Sequence, residues 1–317
     1  MADLGHVLVL AGGLSPEREV SLRSGHRVCD ALREVGVDAR TVDADAGLIP
    51  AIAAAQPDVI FPAIHGASGE DGAIREVLAL LDVPYVGATA DACRFAFDKP
   101  AAKALIRAAG LATPRSVTLP KETFHDLGAA AVLERIVARL GLPLFVKPSR
   151  GGSALGAGPV RSADDLPAAM VSCFAYGDTA LIEQFVEGTE VAVSVIDPGD
   201  GPQALPPVEI VPDGGTYDYT ARYTAGKAEF FTPARLPEAA LKAAADAAVT
   251  AHTALRLRDL SRTDLIVDDE GTAFFLEVNV APGMTGTSTL PLALEAAGLD
   301  FGGVCRGLLL TAAQRGN

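Results

Sequence analysis

Along this chain, short apolar runs alternate with longer stretches of helical period, the pattern of an α/β protein. The first run, His6-Val7-Leu8-Val9-Leu10, predicts a strand that empties into Ala11-Gly12-Gly13-Leu14-Ser15-Pro16-Glu17-Arg18-Glu19, and a helix then runs to about Val35. Ser15 is placed to cap that helix, Pro16 suits its first position, and Glu17 and Glu19 suit the positive end of its dipole. A second buried run, Val59-Ile60-Phe61-Pro62-Ala63, leads into the polar, glycine-rich Ile64-His65-Gly66-Ala67-Ser68-Gly69-Glu70-Asp71-Gly72. Open α/β sheets place ligands at loops leaving the carboxyl ends of parallel strands. Residues 1–97 therefore read as an N-terminal α/β domain on a parallel sheet.

From Lys99 the pattern predicts a helix to about Ala109, a strand near Pro114 to Leu119, a helix from Val132 to Leu140 and the strand Leu144 to Pro148. That strand runs into Ser149-Arg150-Gly151-Gly152-Ser153-Ala154-Leu155-Gly156-Ala157-Gly158, and a short strand and a helix at 163–175 follow. A glycine loop beside Lys147 can offer unobstructed backbone N–H groups to a polyphosphate; a hairpin turn with spare glycines is the plainer alternative. It is not a Walker A loop, since Gly226-Lys227-Ala228 lacks both the hydroxyl residue and the upstream glycines. Residues 180–186 and 190–196 read as strands flanking the Gly188 turn, a natural floor for a purine. The segment from Pro212 to Gly226 has no core periodicity and carries Tyr217, Tyr219 and Tyr223, so it reads as a lid or as a plain surface loop. Helices at 238–255, 290–298 and 301–315 complete the chain, giving a central lobe over 98–186 and a C-terminal lobe over 187–317.

The densest chemistry lies in a predicted hairpin. Arg262-Thr263-Asp264 opens one strand, Asp268-Asp269-Glu270-Gly271 is turn chemistry, and Ala273-Phe274-Phe275-Leu276 resumes an apolar strand that ends in Glu277-Val278-Asn279-Val280-Ala281-Pro282-Gly283-Met284. Strand side chains alternate faces, so Arg262 and Asp264 share one face, as do Glu277 and Asn279. In-register pairing would converge a cation, two carboxylates and a carboxamide, the hard oxygen donors that magnesium on a nucleotide's phosphates requires. A solvated hairpin face is the alternative.

Composition narrows the classes. At 317 residues, 49% of them apolar, the chain can build two or three lobes. No uninterrupted apolar stretch reaches roughly 18 residues and Met1-Ala2-Asp3-Leu4-Gly5 lacks signal-peptide character, so a cytoplasmic protein with no membrane partner is expected. The net charge of −14 argues against nucleic acid but not against a nucleotide that arrives with its own metal. Cys29, Cys93, Cys173 and Cys305 are far apart and read as buried thiols.

The motifs and their order resemble the ATP-grasp superfamily and, within it, the D-alanine–D-alanine ligase family, over essentially the whole chain. The carrying stretches are residues 12–21, His65-Gly66 with Gly69-Glu70-Asp71-Gly72, Asp98-Lys99, Val146-Lys147-Pro148-Ser149-Arg150, Tyr217-Asp218-Tyr219, and Glu277-Val278-Asn279 with Pro282-Gly283-Met284. The resemblance implies a three-lobed ATP-grasp fold and an ADP-forming ligase that joins two D-alanines into D-alanyl-D-alanine through an acyl phosphate for peptidoglycan precursor synthesis. It implies Lys99, Lys147, Gly152, Ser153 and Arg222 around the ATP phosphates, Glu183, Gln184 and Val186 at the adenine, and Glu190 at the ribose. Asp264, Glu277 and Asn279 would hold two magnesium (or manganese) ions. Arg262 would stabilise the oxyanion, and Glu17 would hold the first substrate's ammonium in a chain with Ser153 and Tyr223. His65 would lie near the transferred phosphate, stabilising charge, and Gly283, Ser288 and Thr289 would hold the second substrate. A homodimer is typical of such proteins.

Some positions depart from the family pattern. Arg222 stands where Lys is usual, Gly151 where Glu is common, Ala154 where a second Ser is common, and Val280-Ala281 where Thr-Ser is common. These leave open a ligase of different amino acid preference, and a nucleotide-binding regulator without turnover is the reading from another class. Tyr223 resembles the dipeptide-forming branch.

Overall fold

The computed structural model describes residues 4–213 and 226–316, which form three sheets. The first holds β1 (His6–Ala11), β2 (Asp38–Asp43) and β3 (Val59–Pro62) in the order β2-β1-β3, all parallel. The period-2 rule sorts the side chains of β1: Val7 and Val9 enter one hydrophobic cluster and Leu8 and Leu10 the other, so both faces are covered. Strand β2 is not foreshadowed by the apolar pattern. Of its residues only Ala39 is buried, so an edge strand written Asp-Ala-Arg-Thr-Val-Asp carries little apolar signal.

The second sheet is antiparallel, with order β4-β7-β5-β6, built from β4 (Ser116–Pro120), β5 (Leu144–Pro148), β6 (Gly158–Val160) and β7 (Thr179–Gln184). Its hydrophobic cluster runs from Phe124 to Ile182 and is self-contained. The third sheet has order β11-β10-β8-β12-β13, with β8 (Thr189–Ile196), β10 (Val208–Pro212), β11 (Ala228–Phe231), β12 (Leu260–Val267) and β13 (Ala273–Asn279), while β9 (Gln203–Ala204) pairs with β8. One cluster joins Val7, Val9 and Phe61 of the parallel sheet to Leu290, Leu308 and Leu309 of the closing helices, so the two ends of the chain share a core.

The helix after β1 begins at Arg18, not at Pro16. Glu17 is its N-cap residue, without a side-chain cap, because the Ser15 hydroxyl instead donates to the His65 carbonyl at 3.0 Å. Gly25 in this helix lets it approach β1: a Cβ there would lie 2.4 Å from that of Ala11. The expected lid at 212–226 falls largely outside the described residues. Its base is described, with β10 paired to β11 and Pro212 opposite Ala228.

Gly69 sits where the loop after β3 folds back, and a Cβ there would stand 1.9 Å from the Ile64 carbonyl oxygen. Backbone against backbone has no flexible end to yield, so Gly69→Ala should destabilise by about 1–3 kcal/mol in urea unfolding. Gly158→Ala, whose Cβ meets nothing within 4 Å, is the control and should be near neutral.

Candidate active site

The hairpin pairs in register at its business end. Arg262 lies opposite Asn279 and Asp264 opposite Glu277, and the ladder then shifts by one residue between Asp264 and Leu265. The shift is a β-bulge, and it explains why Phe275 and Val278, three apart, both bury in the same cluster. The Arg262 guanidinium holds Asp264 with two bonds, Nε to Oδ1 at 2.7 Å and Nη2 to Oδ2 at 2.8 Å. The Lys99 ammonium lies 3.2 Å from the Glu277 carboxylate and donates to the Gly151 carbonyl at 2.6 Å. Asn279 Oδ1 accepts from the Ala281 N–H at 2.7 Å. Asp264, Glu277 and Asn279 thus form a compact set of hard oxygens that fits a magnesium ion by donor chemistry. Both carboxylates already carry a cationic partner, Arg262 on Asp264 and Lys99 on Glu277.

Lys99 is presented by the helix Lys99–Ala108, whose start is fixed by Asp98: its carboxylate accepts from the Ala101 N–H at 3.1 Å, with proline at the second helical position. The same Asp98 pairs with Arg150 at 2.9 Å, tying the helix to the glycine loop. Within that loop Ser153 and Ala154 both take left-handed backbone, at φ 57° and 56°, a strained choice for two adjacent residues with side chains. The turn aims Ser153 Oγ at Glu17 Oε1, 2.6 Å away.

Two adjoining cavities open here. One, of about 620 Å³, lies between the second and third sheets and is lined by Lys147, Glu183, Gln184, Val186, Glu190 and Asp264. The other, of about 590 Å³, faces the parallel sheet and is lined by Glu17, His65, Ser153, Arg262, Asn279 and the 283–289 segment, which brings Gly283, Ser288 and Thr289. Both volumes suit small-molecule sites. Lys99, Gly151, Gly152 and Glu277 line both and form the shared wall. Every described residue expected at the site borders one cavity or the other. Arg222 and Tyr223 lie outside the described residues.

His65 borders the second cavity with its ring held on both sides. Its Nδ1 meets the Ala281 carbonyl at 2.8 Å and its Nε2 meets Ser24 Oγ at 2.7 Å. A carbonyl only accepts, so Nδ1 carries the proton and Nε2 accepts from the serine. Burial pushes the imidazole down to about 4, with the nearby Arg262 and Arg75 adding to the effect. The neutral ring therefore has both nitrogens engaged within the protein, one of them on the Val280-Ala281 turn. The bond is to backbone, so Ala281 serves where a hydroxyl residue is usual.

Three features were missed from sequence. Lys103 is wholly buried, with its ammonium on Glu183 at 2.5 Å; its spacing of four from Lys99, on one helix face, was the available signal. Glu209, bonded to Arg235 through both oxygens at 2.9 and 2.7 Å, lines the first cavity from β10, a strand that went unread. Glu70 lines the second cavity and accepts from the Gly66 N–H at 2.8 Å, and burial pushes its carboxyl up to about 7.

Comparison with known proteins follows the same lines. The model described as D-ala D-ala ligase C-terminus matches residues 105–309, and the one described as D-ala D-ala ligase N-terminus matches 38–88. The chain is 42% identical to a D-alanine–D-alanine ligase of Pelotomaculum thermopropionicum over 92% of each chain, and 39% identical to one of Anaeromyxobacter sp. (strain K), covering 98% of this chain and 97% of that one. Among solved structures it superposes on the VanG D-Ala:D-Ser ligase from Enterococcus faecalis with a TM-score of 0.83 at 27% identity, covering 98% and 99% of the two chains. It superposes on the D-alanine–D-alanine ligase from Bacillus anthracis complexed with ATP with a TM-score of 0.81 at 25% identity, covering 98% of each.

The two shifted groups give opposite pH slopes. His65 is depressed from 6.5 to about 4, so the unfolded chain takes its proton first and stability falls as pH drops from 6.5 toward 4. Glu70 is raised from 4.5 to about 7, so its contribution is complete below 4.5 and is lost as pH rises through 7. Between about 4.5 and 6.5 they offset. Urea unfolding against pH should show stability declining with rising pH across that window in His65→Gln and climbing in Glu70→Gln, relative to the parent protein.

Proposed function

This chain belongs to the D-alanine–D-alanine ligase family, and on that premise we propose that it joins two D-alanines at the expense of ATP, giving D-alanyl-D-alanine, ADP and phosphate for peptidoglycan precursor synthesis. The observation that carries the reading is the shared wall of the two cavities. Lys99, Gly151, Gly152 and Glu277 stand where a phosphoryl group passing from a nucleotide on one side to an amino acid on the other would cross.

In this reading the adenine rests against Glu183, Gln184 and Val186, the ribose against Glu190, and the phosphates against Lys147, Lys99 and the N–H groups of the 150–154 loop. The first D-alanine lies in the second cavity, its ammonium on Glu17, its carboxylate toward the wall. A carboxylate oxygen attacks the γ-phosphorus, the bond to the β-phosphate oxygen breaks, and an acyl phosphate and ADP result. The second D-alanine is held by its carboxylate at Gly283, Ser288 and Thr289, where the start of the helix Thr289–Ala296 presents free backbone N–H groups. Its amine, which titrates near ~7.7–8.0 in free solution, loses a proton and attacks the acyl carbon, and the tetrahedral intermediate collapses with loss of phosphate.

Arg262 is the group for the oxyanion, since its planar charge persists at any working pH. Its two bonds to Asp264 use Nε and Nη2 and hold the guanidinium in place at the second cavity. Ser153 orients Glu17, Tyr223 would extend that chain, and Arg222 would meet the ATP phosphates. His65 acts through the Ala281 carbonyl as a positioning residue. Asp264, Glu277 and Asn279 would hold two magnesium or manganese ions, which supply neutralisation of the charge on the transferring phosphoryl oxygens. A cytoplasmic setting and a homodimer belong to the same reading. Among the described residues no single helix is long and apolar enough to cross a membrane.

A second reading keeps the chemistry and changes the second substrate. The close superposition on a D-Ala:D-Ser ligase favours it, as do the departures at Gly151, Ala154 and Arg222.

Phosphate release with ATP, magnesium and a panel of D- and L-amino acids should be greatest with D-alanine alone, with the dipeptide as product; stronger release with D-alanine plus D-serine would move the assignment to the second reading. Arg262→Ala should lower kcat by about 10²–10³ while leaving ADP binding within about threefold. Turnover at the parent rate would remove Arg262 from the mechanism.

A further inference from the structure

Lys103 projects from the helix Lys99–Ala108 one turn beyond Lys99, yet it touches neither cavity. It is completely buried, and its ammonium meets Glu183 Oε2 at 2.5 Å. The other oxygen of Glu183 meets Lys147 Nζ at 2.6 Å, and Lys147 faces the first cavity. One buried carboxylate therefore bridges an interior lysine and a cavity lysine. Burial alone would push the Glu183 carboxyl up, but the two ammonium groups prevail and hold it below its usual range.

A buried Glu183 paired with Lys147 alone would cancel that lysine's charge where a phosphate needs it. Drawing Lys147 away would then strand a carboxylate in the protein interior, the costly half of a broken ion pair. Lys103 changes both terms. With three groups the cluster carries one net positive charge at the cavity wall, and Glu183 keeps an ammonium when Lys147 turns toward an incoming phosphate. We propose that Lys103 is a positioning residue for the nucleotide: its ammonium underwrites Glu183 from behind and so frees Lys147 to bind the ATP phosphates.

The proposal rests on the reading that the first cavity takes ATP, and it makes the value of Lys103 conditional on the Glu183 charge. Calorimetric titration of ADP with magnesium into the parent protein, K103M, E183Q and K103M/E183Q reads that condition. K103M should weaken ADP binding about tenfold in the parent background and by less than about twofold in the E183Q background, a coupling of the size seen within one ion-pair network. The KM for D-alanine should stay within about twofold. An equal loss in both backgrounds, no loss in either, or a parallel rise in the D-alanine KM would each overturn the proposal. A parent protein that does not bind ADP would instead overturn the nucleotide reading itself.

Should K103M fail to fold, pH takes its place. Burial pushes Lys103 down to about 8, against the pull of Glu183 and with the help of Lys147 and Arg107. ADP affinity of the parent protein should therefore decline between pH 7 and 9, and that of E183Q should not. A flat parent profile would refute the role.

Discussion

The structure turns on the register of one antiparallel ladder. Asp264 stands opposite Glu277, and Arg262 opposite Asn279, only because β12 and β13 pair at one offset, and slipping that pairing by a single residue would send every polar group to the other face. Two features hold it. On its far side β12 is matched to β8 at every position from Leu260 opposite Ile196 to Val267 opposite Thr189, so it is a central strand with no freedom to slide. The bulge beyond Asp264 then lets the apolar half of β13 reset, so that Phe275 meets the core without dragging Glu277 with it.

Around that ladder an acidic chain assembles a cation-rich cleft by pairing. Lys99 with Glu277, Lys147 with Glu183, and Arg262 with Asp264 are each opposite charges in contact at a cavity wall. Such pairs hold long side chains in place at the cavity walls and leave each charge with a partner. Burial at the same site keeps the His65 imidazole well below its usual range and so neutral. The lysines and Arg262 are the charged cations at these cavity walls, while both nitrogens of the imidazole are engaged within the protein.

Legibility in the sequence followed burial. Strands covered on both faces, such as β1 and β3, announced themselves as apolar runs, and the β12–β13 hairpin was readable because its turn and its alternation agreed. The edge strand β2 was not, since Asp38 and Arg40 face solvent and one alanine carries its buried contact. The site was legible where groups cluster in sequence, at 262–264 and 277–279, and at the glycine loop. It was illegible where a contact needs a third partner: the spacing of Lys103 from Lys99 marks a shared helix face, but nothing in its neighbourhood indicates that it ends on Glu183, eighty positions away. The N-cap misreading at Ser15 has the same origin, because the His65 carbonyl that captures its hydroxyl comes from another loop.

The Ala281 carbonyl that receives the His65 ring fixes what evolution can alter nearby. The contact is written in main chain, so heritable change at 280 and 281 passes beneath the imidazole unnoticed as long as the replacement stays compact enough for sites that are 2% and 5% exposed. A search pattern that demands hydroxyl residues at those two positions would discard a chain whose geometry there is intact.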